Sequence, residues 1–401
     1  MSIPHLLFLV IMGLYTLIYV SKNISDKNGV DIYTIYFLLL LLIVPIWSMF
    51  RSNNVFDQPY YYGFLSERSW LVVCAGVVLY QNIIHRPEML KIIKNVFIKL
   101  SFFTLFVYSF IYLFFDLSQF DDYKFVTEND LRGYRLKLNI FFINFGLLYS
   151  FIKLYNKRSI YNFLLFTIFF LYIIFVVQGR AHLLQILLTC FLFLIFRQSN
   201  FSLSKKTYNL TLYSFVSAIF LSSIFFLNPE FISNFVFSIS QLFSVVGGDI
   251  SYDSSANSRI VQAIIALDVI SDSSTNLWFG VGKISSQWGY NSYGMSYFFG
   301  HFYPSDIGIL GGLFQYGIFG ILLLWLIPIL MCISIIKKIP TNKNNDFIVA
   351  LKFLLIFYIF GSINTGNFFF LIQEYILIFY ILFAYQNIKN LNHNNVQLSN
   401  G

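Results

Sequence analysis

Apolar residues fall in long blocks separated by short polar clusters. The blocks run over about 4–20, 32–50, 69–84, 96–115, 139–152, 159–178, 182–196, 208–227, 305–336, 346–363 and 368–387. A helix needs roughly 20 apolar residues to cross the hydrocarbon core of a bilayer. The pattern predicts an all-α polytopic integral membrane protein with about 11 transmembrane helices, bounded at roughly 10 to 12 by the few-residue error on each edge. A membrane β-barrel would alternate apolar and polar residues in segments of about ten, and these blocks do not. Residues 1–401 read as one transmembrane domain carrying two longer polar segments, 116–138 and 228–304. The second is predicted to contain short helices. Within it, FISNFVFSISQLFSVVG (231–247) is a candidate re-entrant or interfacial segment.

Composition agrees. Hydrophobic residues make up 58% and charged residues 11% of the chain, against about a quarter charged in soluble domains. Cys74, Cys190 and Cys332 each lie inside an apolar block and read as buried thiols. The first block lacks a basic flank and a small-residue cleavage site, so it reads as the first span. The tail LNHNNVQLSNG reads as disordered.

The net charge of +8 is spread over short loops, which argues against a nucleic-acid partner. Lys22, Lys27, Arg86, Lys91, Lys94, Lys153, Lys157, Arg158, Arg197, Lys205, Lys206, Lys337, Lys338, Lys343 and Lys389 fall on one side of an eleven-span model. The bias of Lys and Arg to cytoplasmic loops makes that side the cytoplasm. The C-terminus then lies inside and the N-terminus outside, and most acidic residues fall in the two outer segments. No G-x-G-x-x-G, Walker A, HExxH or CxxC pair occurs, so no cofactor, nucleotide or metal is expected.

Charges next to membrane helices are costly and mark functional candidates. In QGRAH (178–182), a very short turn joins two apolar blocks and holds Arg180 and His182 at the membrane surface. Snorkelling of Arg180 to lipid headgroups is the alternative. In SSANSRIVQAIIALDVI, residues 259–270 read as a short amphipathic helix with Asn257 or Ser258 as N-cap. Arg259 in its first turn would oppose the helix dipole unless an anion, such as a phosphate or Asp253, lay nearby. WFGVGKI (278–284) offers a glycine turn followed by Lys283. In FFGHFYPSDIGILGG (298–312), His301 can accept and pass a proton near neutral pH. Asp306 follows at a helix start, where capping is the competing role. Gly308, Gly312, Gly317 and Gly320 follow small-residue spacing for close helix packing. In LRGYRLKL, Arg132 and Arg135 would share a helix face. Arginine's planar fork suits phosphate oxygens, and near a bilayer the available phosphates are lipid headgroups and lipid-linked diphosphates.

These pieces, taken in order, resemble the O-antigen polymerases (Wzy type) and, more distantly, the O-antigen ligases. They are the GRAH turn, NSRIVQAIIALDVI in a long loop, LWFGVGKI, and GHFYPSDIGILGGLFQYGIFG entering a long span. The ligases often carry Asn after the histidine; here Phe302 stands there. The resemblance covers roughly residues 130–340. It implies a GT-C-like fold in the bacterial inner membrane and a metal-independent, inverting glycosyltransferase of lipopolysaccharide biosynthesis. Oligosaccharide repeat units on undecaprenyl diphosphate would be joined at the periplasmic face. The implied partners are those lipid-linked glycans, membrane lipid and a chain-length regulator. By position, Arg180 and Arg259 would hold the diphosphate, with Arg132, Arg135 and Lys283 as further contacts. His301 would act as base, and Asp306 would orient it or act as the base itself. A lipid-linked oligosaccharide flippase is the alternative of another class, but it needs charges within the spans, where only Lys99, Lys352 and Glu374 occur.

Overall fold

The computed structural model describes residues 3–25, 30–120, 126–127, 134–136, 138–197, 254–288, 298–300, 302–341 and 345–399. The helices are α1 (Ile3–Ser25), α2 (Ile32–Phe56), α3 (Tyr60–Ser66), α4 (Val72–His85), α5 (Met89–Phe114), α6 (Phe141–Asn156), α7 (Ile160–Tyr172) and α8 (Arg180–Arg197). They continue with α9 (Ser254–Ser271), α10 (Ser274–Phe279), α11 (Ile309–Gly320), α12 (Ile327–Lys338), α13 (Asp346–Asn364), α14 (Asn367–Phe370) and α15 (Ile372–Ser399). The extended structure described is one two-residue antiparallel pair, Val126 with Leu136 and Thr127 with Arg135.

Among the described residues, five helices are long and apolar enough to cross a membrane: Ile32–Phe56, Met89–Phe114, Ile160–Val177, Ile309–Lys338 and Asp346–Asn364. The bent pair Tyr60–Ser66 and Arg68–His85, turned by 49°, makes a sixth if it is one span. The protein is a helical membrane protein. Helices also occupy the blocks at 4–20, 139–152, 182–196 and 368–387, while the block at 208–227 and the segment 231–247 lie outside the described residues. The C-terminal tail departs from expectation: α15 continues as helix to Ser399.

Local sequence sets several boundaries. Asp31 caps α2, its carboxylate accepting from the N–H of Tyr33 at 2.9 Å and of Thr34 at 3.3 Å. Asp57 ends α2 in the left-handed conformation, φ 56°. Ser159 caps α7 through the N–H of Asn162 at 3.2 Å. Lys22, Lys153, Arg197, Lys337 and Lys338 stand in the last turns of α1, α6, α8 and α12, where cations offset the dipole.

The chain divides into two compact units. The first holds residues 1–91, 258–339 and 358–401. Its centre is α15 against α4: Tyr375, Ile376, Phe379 and Tyr380 are fully buried, Tyr80 stacks on Phe383 at 5.0 Å, and Gly76 leaves room for the Tyr380 ring. The second holds residues 92–257 and 340–357. There α6 and α7 pair, with Gly146 facing the Phe169 ring. Phe145 and Phe97 meet Phe347, and Phe193 meets Phe353, from the first part of α13.

Candidate functional site

The segment 280–285 in the first unit is built from both sides. Gly280 and Gly282 both take positive φ, 67° and 81°, a backbone that favours glycine. The N–H groups of Val281 and Gly282 donate to the carbonyls of Phe314 and Gln315 at 2.9 Å each. Those acceptors lie just before Gly317, whose φ of 66° breaks α11. A Cβ on Gly317 would sit 2.4 Å from the Trp278 carbonyl group, so this glycine is required for the break and for the close passage of the segment. On the other side, the Lys283 N–H donates to Ser48 Oγ at 2.9 Å and the Ser285 N–H to Gln58 Oε1 at 2.8 Å. Arg51 Nε donates to the Gly280 carbonyl at 2.7 Å, and the Trp47 indole N–H to the Phe279 carbonyl at 3.0 Å.

This backbone fixes Lys283 next to a buried acid. Glu67 Oε2 faces Lys283 Nζ at 3.8 Å, and Glu67 Oε1 accepts from the Tyr316 hydroxyl at 2.8 Å. The Glu67 side chain is fully buried and that of Lys283 is 23% exposed. The carboxylate is hydrogen-bonded through Oε1 and ion-paired through Oε2, which accepts no hydrogen bond among the described residues. Lys283 is therefore not an isolated cation: its charge is matched. Sequence reasoning missed Glu67 and Tyr316. A lone acid in SERSW at the edge of an apolar block was the available signal.

Two counts along the chain put this cluster near one end of apolar stretches of membrane-crossing length. The apolar run of α2 ends at Phe50 and becomes polar at Arg51. Counting roughly 20 residues back from Lys337, the apolar thickness of a bilayer, reaches the region of Gly317. The Trp47 and Tyr316 rings meet there, 6.5 Å between centroids.

Arg259 lies on α9, which begins at Ser254, so it stands in the second turn rather than the first. The expected caps, Asn257 and Ser258, are inside the helix. The unfavourable first-turn placement inferred from sequence therefore does not hold. Arg259 is exposed. One turn on, Gln262 is buried; its Oε1 accepts from the N–H of Tyr303 at 2.7 Å and its Nε2 donates to Ser258 Oγ at 3.0 Å. The inner face of α9, with Ala266 and Ile270, packs with Val281, Ile284, Phe302 and Phe314. Thus α9, the 280–285 segment and the chain at 302–303 form one packed body. Gln262 was not anticipated, because its sequence context reads as an ordinary polar position.

Asp306 is exposed in a 3-10 turn, Pro304–Ile307. It does not cap α11, whose N-cap is Gly308 with no side-chain hydrogen bond. His301 and Arg132 lie outside the described residues. The backbone of Arg135 is in the short strand pair rather than in the expected helix. Gly312 lies against the Phe369 ring as close packing requires, whereas Gly320 faces Tyr316 of its own helix, and Gly308 and Gly317 take positive φ, 58° and 66°.

In the second unit the GRAH turn is as short as expected. A π-helical turn, Ile173–Val177, follows α7; Gln178 adopts φ 53°; and α8 starts at Arg180, for which the backbone is described. Gln178 is buried, its amide donating to the Phe175 carbonyl at 3.0 Å and the Tyr134 carbonyl at 3.4 Å. His182 Nε2 lies 2.9 Å from Asn144 Oδ1, and its ring meets Phe357 edge-on at 5.1 Å. Of the mid-span charges, Lys99 is exposed, Lys352 is buried and donates to Thr341 Oγ1 at 3.1 Å, and Glu374 is buried and accepts from the Tyr358 hydroxyl. The two buried groups thus meet hydroxyl partners.

No protein-family model matches this chain, and no curated protein does.

Proposed function

We propose that this protein is an O-antigen polymerase of the Wzy type, a multi-pass bacterial inner-membrane glycosyltransferase working at the periplasmic face. It joins repeat units carried on undecaprenyl diphosphate. The growing chain passes from its diphosphate lipid to a sugar hydroxyl of the next unit, with inversion at the anomeric carbon. In this reading the fold is GT-C-like with about 11 spans. Arg259 and Arg180 hold the diphosphate and offset the charge that develops as it leaves. His301 takes the proton from the attacking hydroxyl, with Asp306 orienting it or serving in its place. Arg132, Arg135 and Lys283 are further phosphate contacts.

One observation carries the reading beyond the sequence resemblance. The packed body of α9, the 280–285 segment and residues 302–303 gathers three of the four motif stretches, and its cluster of Lys283, Glu67 and Tyr316 lies beside Ser48, where the apolar run of α2 nears its end. That is where a lipid-borne diphosphate would meet the protein.

The test is purified protein in liposomes with lipid-linked repeat units. Wild type yields a ladder of polymer on the lipid carrier, and His301→Ala and Arg259→Ala yield the single unit only. Undiminished polymer from His301→Ala removes that residue from the mechanism. A wild-type protein that moves the lipid-linked unit across the bilayer without joining units overturns the reading in favour of a flippase.

A further inference from the structure

We propose that α9 and α10 rest on the bilayer, each seating an apolar face at the boundary between lipid headgroups and acyl chains. The inference needs only that the chain is embedded in a membrane, and it stands or falls separately from the polymerase reading.

Helix α9 is apolar on two faces. One is buried, with Ala266 and Ile270 in the packed body. The other carries Ile260, Val261, Ile264 and Leu267, the last two 53% and 47% exposed. Their spacing makes one stripe along two helical turns. Asp268 and Ser271, both exposed, lie on the same face one turn on and confine the apolar stripe to 260–267. An uncovered apolar stripe marks a binding face.

Continuity with the lipid-facing surface identifies what covers it. Along the crossing helix Ile309–Lys338, the exposed residues Phe319, Leu322, Leu326 and Leu330 form a stripe with the spacing of a lipid-facing face. At its upper end, the Phe319 ring packs on Trp278 at 5.4 Å and on Phe279 at 5.2 Å. Trp278 and Phe279 belong to α10 and are themselves 45% and 42% exposed. The lipid-facing surface therefore continues from the span onto α10. Helix α10 is joined to α9 by two residues and by the Asn276 side-chain amide, which donates to the Val269 carbonyl at 3.0 Å. Trp278 sits at the surface level set by Phe50 and Gly317, where tryptophan rings concentrate in membrane proteins. Helices of this kind lie with their apolar face about 5 to 10 Å into the headgroup region.

The experiment uses the full-length protein in phosphatidylethanolamine–phosphatidylglycerol nanodiscs. Ile264→Cys, Leu267→Cys, Leu277→Cys and Ser271→Cys are made with Cys74, Cys190 and Cys332 replaced by Ala, and each carries a nitroxide label. The expected result is greater collision with oxygen than with a water-soluble nickel chelate at 264, 267 and 277, with that excess falling at 271, one turn beyond the end of the stripe. Nickel dominating at 264 and 267 places the stripe in water and overturns the proposal. Low collision with both reagents places it under protein, from this chain or a second copy, and also overturns it. A second measurement keeps the native cysteines and reads modification by a charged maleimide through peptide mass spectrometry. Severalfold slower modification at 264 than at 271 supports the proposal, and equal rates contradict it.

Discussion

Gln262 accepts a hydrogen bond from the backbone N–H of Tyr303 at 2.7 Å, tying the helix that carries Arg259 to the chain two residues beyond His301. The glutamine is buried, and its amide also holds Ser258 Oγ. Gln262→Ala removes both bonds and leaves the fold intact, at a cost of about 1 to 3 kcal/mol. If His301 and Arg259 act together, lipid-linked polymer formation falls further than that stability loss accounts for. Thermal melting in detergent beside the liposome assay separates the two effects.

Glu67 and Lys283 are predicted to be coupled. Removing one member of a buried ion pair costs about 3 to 5 kcal/mol because the other charge is left without its partner. Glu67→Gln and Lys283→Met are each expected to destabilise the protein, and the double variant to be closer to wild type than the sum of the two. A thermodynamic cycle from chemical denaturation reads the coupling directly, and additive losses would mean that the 3.8 Å contact contributes nothing.

Gly317→Ala is expected to be among the most damaging single-methyl additions in the first unit. Its φ of 66° disfavours any side chain, and the added carbon would meet the backbone of Trp278 and Gly280 within 2.5 Å. Loss of folded protein on size-exclusion chromatography is the expected outcome. A variant with the wild-type melting temperature would show that the break in α11 is not fixed by this residue.

Asp306 separates chemistry from capping. It is exposed and leaves the start of α11 uncapped, so Asp306→Ala is predicted to change stability by less than about 0.5 kcal/mol. A drop in polymer formation at unchanged melting temperature would then point to a chemical role.

Much of this fold is legible in the sequence because a membrane imposes a coarse rule: long apolar blocks become helices. The blocks at 32–50, 159–178 and 346–363 each correspond to a helix of span length. The short GRAH turn is readable for the same reason, since two blocks leave few residues between them. Where backbone geometry decides, the pattern is silent. The path of 280–285 runs against the break at Gly317, and small-residue spacing alone reads that glycine as a packing position. The helix before Arg259 starts earlier than the sequence suggests because Asn257 and Ser258 resemble capping residues, yet both lie inside a helix that begins at Ser254. The partners Glu67 and Gln262 were hidden by distance: Glu67 lies more than 200 residues from Lys283, and a single polar residue in a helix gives no sign of what it will meet.

The most direct test of the central claim is a lipopolysaccharide gel from the source organism lacking this gene, complemented with wild type, Arg259→Ala or His301→Ala. The account predicts core bearing a single repeat unit in the null strain, with the ladder restored by wild type and by neither variant. Bare core alone in the null strain would contradict it and point to the ligase or the flippase.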